Sequence, residues 1–377
     1  MNGLGERARK SLDRGSQTVE SKRKSVPAPV AAAVVAVAQS FSAADRVTQV
    51  TIDDEEGGQR LDNYLFRRAK GVPKSHIYRI VRGGEVRVNG KRVEAAYRLE
   101  IGDVLRIPPM RVADRPSDEA ARLASGKREK SIALRIVHED DALLVVDKPA
   151  GVAVHGGSGI SFGVIEQLRA LRPDAKFLEL VHRLDRDTSG LLMIAKKRSA
   201  LVRLHEDLRE GRVKKNYLAC VIGPWPEARR QVKAPLVKFN LADGERRVRI
   251  ANNDDAGAMS AHTLFALVER FHGPDGDYAL LDVELKTGRT HQIRVHLAHL
   301  GRPIVGDEKY GDFALNRRLT RASAASRVVL RRMFLHAATL QVVHPQTGTT
   351  MHFGAPLPAE CLAFVEALRR CETGKAP

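Results

Sequence analysis

A chain of 377 residues, 43% hydrophobic and 29% charged, is too long for one small core and predicts two or three soluble globular domains with a polar appendage. Lys and Arg outnumber Asp and Glu by 63 to 45, and a net charge of +18 favours a polyanionic partner, because each neutralised phosphate releases counterions. Cys220, Cys361 and Cys371 are too few and too widely spaced for a disulfide framework or a CxxC metal site, so free thiols in a reducing cytoplasm are expected.

Residues 1–46 carry 8 basic and 4 acidic groups without sustained periodicity and are expected to form a mobile tail. Within it Ala28–Ala38 imitates a signal peptide, but it has about half the apolar length a membrane span needs, so no membrane association is expected. From Gly57 the texture changes. Leu61, Tyr64, Leu65 and Ala69 recur at helical spacing, and Ile77, Ile80 and Val81 do so again after Pro73. Glu85–Val88, the pair Asn89-Gly90 and Lys91–Val93 then read as a tight hairpin, and Val104–Ile107 alternates as a strand. Residues 57–108 hold 12 basic and 5 acidic side chains. Two short helices and small strands carrying Arg67, Arg68, Lys70, Lys74, Arg79 and Arg82 resemble an S4 RNA-binding domain, placed at 47–108. The resemblance implies that Arg67, Arg68, Lys74, Arg79 and Arg82 contact RNA. Residues 109–130 mix charge with Pro, Ser and Gly and predict a linker.

The rest, 131–377, alternates strand-like runs with fewer helices. Strands are expected at Ile132–Val137, Leu143–Val146, Phe177–Val181, Leu191–Ala195, Lys215–Gly223, Thr263–Arg270, Tyr278–Leu285 and Thr339–Val343. Helices are expected at Phe162–Leu171, Ser199–Arg209 and Glu360–Arg370. This pattern predicts an α+β fold: a mixed, mostly antiparallel sheet with flanking helices, preceded by the small S4-like α/β domain.

Between two apolar runs, Val181–Gly190 reads VHRLDRDTSG. A connection so rich in charge at the end of a buried strand suits catalytic or binding groups, although Asp and Thr also serve turns through their own backbone. No GxxxxGK[ST] loop and no GxGxxG after a strand is present, which argues against phosphate-loop and dinucleotide chemistry. His291, His296 and His299 do not match HExxH, so no metal site is expected there. They fit one helix with Thr290 as N-cap, Ile293, Leu297 and Leu300 as its buried stripe and Gly301 as its terminator. Arg294 then lies near the first turn, where a guanidinium can hold one carboxylate.

In order along the chain stand KPAGVAVH (148–155), HRLDRDTSG (182–190), KNYLA (215–219), TGRTHQIRVH (287–296) and FLHA (334–337). This series resembles the RluA-type family of pseudouridine synthases. With the S4-like segment ahead of it, the resemblance extends over about 57–370 and is closest to members acting on large-subunit (23S) ribosomal RNA. It implies a cofactor-independent cytoplasmic isomerase, a monomer, that works on RNA. It implies Asp185 as a nucleophile attacking C1′ of the ribose or C6 of the base. Arg294 is implied as its partner, Tyr217 as the ring that stacks on the target base and assists proton removal from C5. Arg183 is implied to fill the space left by the extruded nucleotide, and Leu335 to lie beneath the base. Asp187 falls outside the motif's catalytic position and reads as structural. A noncatalytic assembly factor would not need Asp185, Tyr217 and Arg294 together, and an enzyme acting on transfer RNA remains the alternative target class.

Overall fold

The apolar run Leu143–Lys148 and the run Ser189–Ala195 form neighbouring antiparallel strands, and the larger domain is laid down around them. The computed structural model describes residues 47–53, 56–69, 72–110, 133–156, 163–241, 244–321 and 328–372. The expected tail, and the expected linker apart from Pro109 and Met110, lie outside the described residues.

In the small domain, β1 (Thr48–Thr51), β2 (Arg87–Val88) and β3 (Val104–Ile107) form an antiparallel sheet in the order β1-β3-β2, beside α1 (Leu61–Arg68) and α2 (Lys74–Arg82). Leu61, Leu65, Ile77, Ile80, Leu105 and Ile107 are buried, as their periodicity requires. The Asn89-Gly90 turn has positive φ at both residues, 48° and 76°, as its sequence predicts. The hairpin does not continue into Lys91–Val93. The Asn89 side chain donates to Asp103 and accepts the Val104 amide, which draws β2 onto β3, and only Lys91 bridges back to Val88.

The larger domain is built on one mixed sheet. Its strands are β4 (Arg135–Glu139), β5 (Leu143–Lys148), β6 (Glu179–Leu180), β7 (Ser189–Ala195), β8 (Lys214–Ile222), β9 (Arg229–Lys233), β12 (His262–Gly273), β13 (Gly276–Leu285), β14 (Leu335–Val343) and β15 (Thr350–Gly354). They run in the order β4-β5-β7-β14-β8-β13-β12-β9, with β6 on β7 and β15 on β14. Between β9 and β12, β10 (Leu236–Asn240) and β11 (Arg246–Ile250) form a separate hairpin. Period-two alternation splits the central strands between two cores. Leu144, Val146, Leu192 and Ile194 face the core shared with α3 (Val164–Leu171) and α7 (Ala359–Glu372). Leu143, Val145, Leu191, Met193 and Ala195 face the core shared with α4 (Arg198–Arg209). Each such leucine, isoleucine, valine or methionine side chain contributes about 1.5–3 kcal/mol when buried. Among the described residues the one parallel pairing joins β7 to β14 through Ser189–His336 and Gly190–Ala337. Gly190 is needed there: it has φ 108°, and a Cβ would fall on the Ala337 carbonyl oxygen.

The expected strand Phe177–Val181 shrinks to Glu179–Leu180. The Val181 amide still donates to the Met193 carbonyl, but the His182 imidazole then accepts the Met193 amide, and the chain leaves the sheet as a loop. Sequence reading missed β1, β9, β10, β11 and β15, and also α6 (Phe313–Thr320), because their polar, half-exposed faces show no clear apolar period. No helix among the described residues is long and apolar enough to cross a membrane.

Candidate active site

The loop between β6 and β7 carries Asp185 to the floor of a cavity of about 480 Å³. Lys148, at the end of β5, fixes that loop from below. Its side chain is wholly buried, and its ammonium donates to the carbonyls of Pro149 (2.9 Å), Val152 (2.8 Å) and Arg186 (3.0 Å). Burial pushes the Lys148 pKa down to about 7, against the pull of Asp187 and Asp185. From the other end, the Arg332 guanidinium donates to Ser189 Oγ (2.8 Å) and the Leu335 carbonyl (3.2 Å), tying the start of β7 to the start of β14. The Asp187 carboxylate accepts from its neighbour Arg186 (3.2 Å), and its carbonyl accepts from Arg332 (3.5 Å).

Arg294 reaches Asp185 from α5 (Gln292–His299). Its Nη1 donates to Asp185 Oδ2 at 3.0 Å, while Nε and Nη2 both bind Asp307 at 2.8 Å. The guanidinium also lies over the Tyr310 ring, 5.1 Å from its centroid. Burial opposes the charge on Arg294, but Asp307 first and then Asp185 more than restore it. Burial likewise opposes the charge on Asp307, and Arg294 with the Lys309 and Tyr310 amides overcomes it, so the Asp307 pKa falls below its usual value. Asp307 went unrecognised in the sequence because GDEKYG (306–311), with Glu308 and Lys309 beside it, reads as a solvated turn.

The approach of α5 corrects one expectation. The helix is not capped by Thr290. The chain passes through a left-handed residue, His291 (φ 53°), and starts the helix at Gln292 without a side-chain cap. The Gln292 side chain does the joining: Oε1 accepts from Thr287 Oγ1 (2.7 Å) and the Arg289 amide (3.0 Å), and Nε2 donates to the His262 carbonyl (3.0 Å). The three histidines separate in role. His296 is buried between Thr263 Oγ1 (2.8 Å) and the Ala234 carbonyl (3.0 Å), His299 is exposed in the last turn, and His291 faces the cavity. Among the described residues no group of three or more His, Cys, Asp or Glu is arranged to hold a metal ion.

Tyr217 on β8 and Leu335 at the head of β14 line the same cavity, and both are nearly buried. Burial, and then the charge of Asp185, push the Tyr217 hydroxyl far above its ordinary pKa, so it stays protonated at neutral pH. Arg183 stands exposed at the mouth, joined there by Arg209 and Lys286, while Arg289 and the more deeply set Lys215 line the wall. Sequence reading thus brought Asp185, Arg294, Tyr217, Arg183 and Leu335 to one place.

The small domain is more selective than its composition suggests. Lys74, Arg79 and Arg82 are exposed along α2. Arg68 is half-buried and bonded to Glu56 and the Tyr64 hydroxyl, so it is engaged within its own domain. Arg67 is exposed, with its guanidinium 5.6 Å from the centroid of the Phe177 ring of the larger domain. Arg67 and Arg68, both implied to contact RNA, thus also hold contacts within the protein.

The comparisons with known proteins agree with this geometry. A family model described as RNA pseudouridylate synthase matches residues 142–299, and an S4 domain model matches 59–105. The chain is 51% identical over 322 residues to ribosomal large subunit pseudouridine synthase C of Escherichia coli (strain K12), covering 85% of this chain and 94% of that one. The same-named protein of Pasteurella multocida (strain Pm70) is 49% identical over 324 residues, 86% of this chain and 94% of the relative. Among solved structures, human RNA pseudouridylate synthase domain containing 1 superposes with a TM-score of 0.50 at 26% identity, over 64% of this chain and 97% of that one. With half its residues shared across nearly the full length of such relatives, the chain belongs to the RNA pseudouridylate synthase family.

Proposed function

We propose that the protein isomerises uridines to pseudouridine in large-subunit (23S) ribosomal RNA; its relatives are named ribosomal large subunit pseudouridine synthase C. The observation that carries this reading is Asp185: a carboxylate at the floor of a cavity, held through one oxygen by a buried arginine and open at the other. Asp185 is the nucleophile, attacking C1′ or C6, and a fixed ionised carboxylate is competent for either. Arg294 keeps it charged and in place. Tyr217 and Leu335 bracket the base. Tyr217 supplies the stacking face for the base, and its hydroxyl assists removal of the C5 proton.

A stacked base cannot be detached, turned and rejoined inside a helix, so the target nucleotide has to enter the cavity flipped. Arg183 at the mouth is suited to occupy the space it vacates, and the basic rim to hold the backbone. The segment 47–108 orients the RNA through Lys74, Arg79 and Arg82, while 131–377 performs the chemistry. Action as a monomer is what the family resemblance implies. A ribosomal RNA substrate, free or in a preribosomal particle, places the enzyme in the cytoplasm. No cofactor is called for, since the isomerisation has no net redox change or group transfer to a second molecule.

Rejoining the base through C5 releases the hydrogen on C5. Large-subunit RNA carrying tritium at uridine C5 should therefore release tritium with the wild-type protein and none with Asp185→Asn; equal release from both would overturn the reading.

A further inference from the structure

Among the described residues only Asn89 and His291 have positive φ without being glycine. Asn89 sits in a tight turn that asks for this conformation, and asparagine tolerates it. His291 has no such excuse, because a helix start is ordinarily served by a residue in extended conformation. Strain of this kind persists where the surroundings enforce it, and it clusters at working sites. Here its effect is to turn the imidazole toward Asp185: Nε2 lies 3.9 Å from Oδ1, with the two side chains 15% and 17% exposed.

The tautomer follows from the hydrogen bonds behind the ring. Tyr310 Oη accepts the Val248 amide at 3.1 Å, and lies 2.8 Å from His291 Nδ1. The phenol oxygen already accepts one amide, and the geometry assigns its single proton to Nδ1. It therefore donates to Nδ1, which puts the ring proton on Nε2, facing Asp185. The charged and titratable groups around the ring are Asp185 from the loop, Arg294 from α5, and Asp307, Lys309 and Tyr310 from the turn that follows. Burial lowers the imidazole pKa and Arg294 and Lys309 add to that against the carboxylates, so the ring is neutral and does not quench Asp185 as an imidazolium would.

We propose that His291 is a positioning residue for the nucleophile, presenting Nε2–H beside Asp185 Oδ1 and thereby assigning Oδ1 as the attacking oxygen while Oδ2 remains on Arg294. The proposal rests on Asp185 being the nucleophile. At 3.9 Å the N–H does not cap the oxygen, so a lone pair of Oδ1 is available to form the new bond. In attack at C1′ the N1–C1′ bond breaks with its pair passing to the uracil; in attack at C6 the C5–C6 π pair moves into the ring. In both cases negative charge leaves the carboxylate for the uracil, and the imidazole keeps its proton.

His291→Asn tests this, because asparagine accepts positive φ while removing the imidazole. Single-turnover tritium release from C5-labelled large-subunit RNA should fall about 10-fold or more, with RNA affinity unchanged within about twofold. The melting temperature should hold or rise, since the strained histidine is gone; a side chain with only a structural role would lower it. Tyr310→Phe, which keeps the ring under Arg294 and deletes only the hydroxyl, should also slow release, and the double variant should be no slower than His291→Asn alone. A wild-type rate for either single variant, or additive losses in the double, would overturn the proposal. Asp185→Asn in the same assay separates the two readings: its activity would overturn the nucleophile itself, whereas an inert Asp185→Asn beside a fully active His291→Asn would overturn only the role of His291.

Discussion

Arg294 gives two of its hydrogen bonds to Asp307 and only one to Asp185. The arginine is thus anchored by an acid that cannot react, being wholly buried, and is offered to the one that can. Removing Asp307 leaves a buried guanidinium short of its main partner. Asp307→Ala should destabilise the larger domain by about 3–5 kcal/mol, as breakage of buried pairs does, and denaturant unfolding measures it.

The same pair sets an acid limb. The folded pKa of Asp307 lies below its unfolded value of about 3.9, so its contribution is present above that value and is lost as pH falls through the lower, folded one. Unfolding free energies measured from neutral pH downward should therefore drop less steeply below about pH 4 in Asp307→Asn than in wild type. Equal slopes would show that the pair contributes nothing to acid stability.

Lys148 offers a second, alkaline dependence. Its three carbonyl partners use all three ammonium protons, and burial brings its pKa to about 7. Loss of one proton frees one tie to the loop that carries Asp185. Turnover of the wild type should decline as pH rises above about 7, and Lys148→Met, about 10-fold or more slower throughout, should lack that limb.

In the small domain, exposed and engaged cations should part company. Lys74→Gln, Arg79→Gln and Arg82→Gln should each weaken RNA binding and reduce the slope of log affinity against log salt by about one, with the rate at saturating RNA unchanged. Arg68→Gln should instead lower thermal stability, since its guanidinium is bonded to Glu56 and Tyr64. Binding isotherms across a salt series and melting curves distinguish them.

What could be read in the sequence follows from where the physics is local. The central strands were legible because Leu143–Val146 and Leu191–Ala195 are apolar on both faces, and α1 and α2 because Leu61, Leu65, Ile77 and Ile80 keep one stripe. The charged strands β9 and β11 gave no such period, since burial of single residues such as Val232 and Val248 holds them. Asp185, Arg294 and Tyr217 were legible through motif spacing. Asp307, His291 and Tyr310 were not, because their meaning lies in contacts: a glycine-flanked acid and tyrosine read as a turn until the fold sets them against Arg294, and the left-handed φ of His291 has no sequence mark. The tie of Arg68 to Glu56, twelve residues earlier, was likewise invisible in the sequence.

The most direct test of the central claim is pseudouridine mapping of ribosomal RNA from cells lacking this protein, complemented with wild type or with Asp185→Asn. The account predicts large-subunit sites that disappear in the deletion, return with wild type and stay absent with Asp185→Asn. Restoration of every site by Asp185→Asn, or large-subunit RNA unchanged by the deletion, would contradict it.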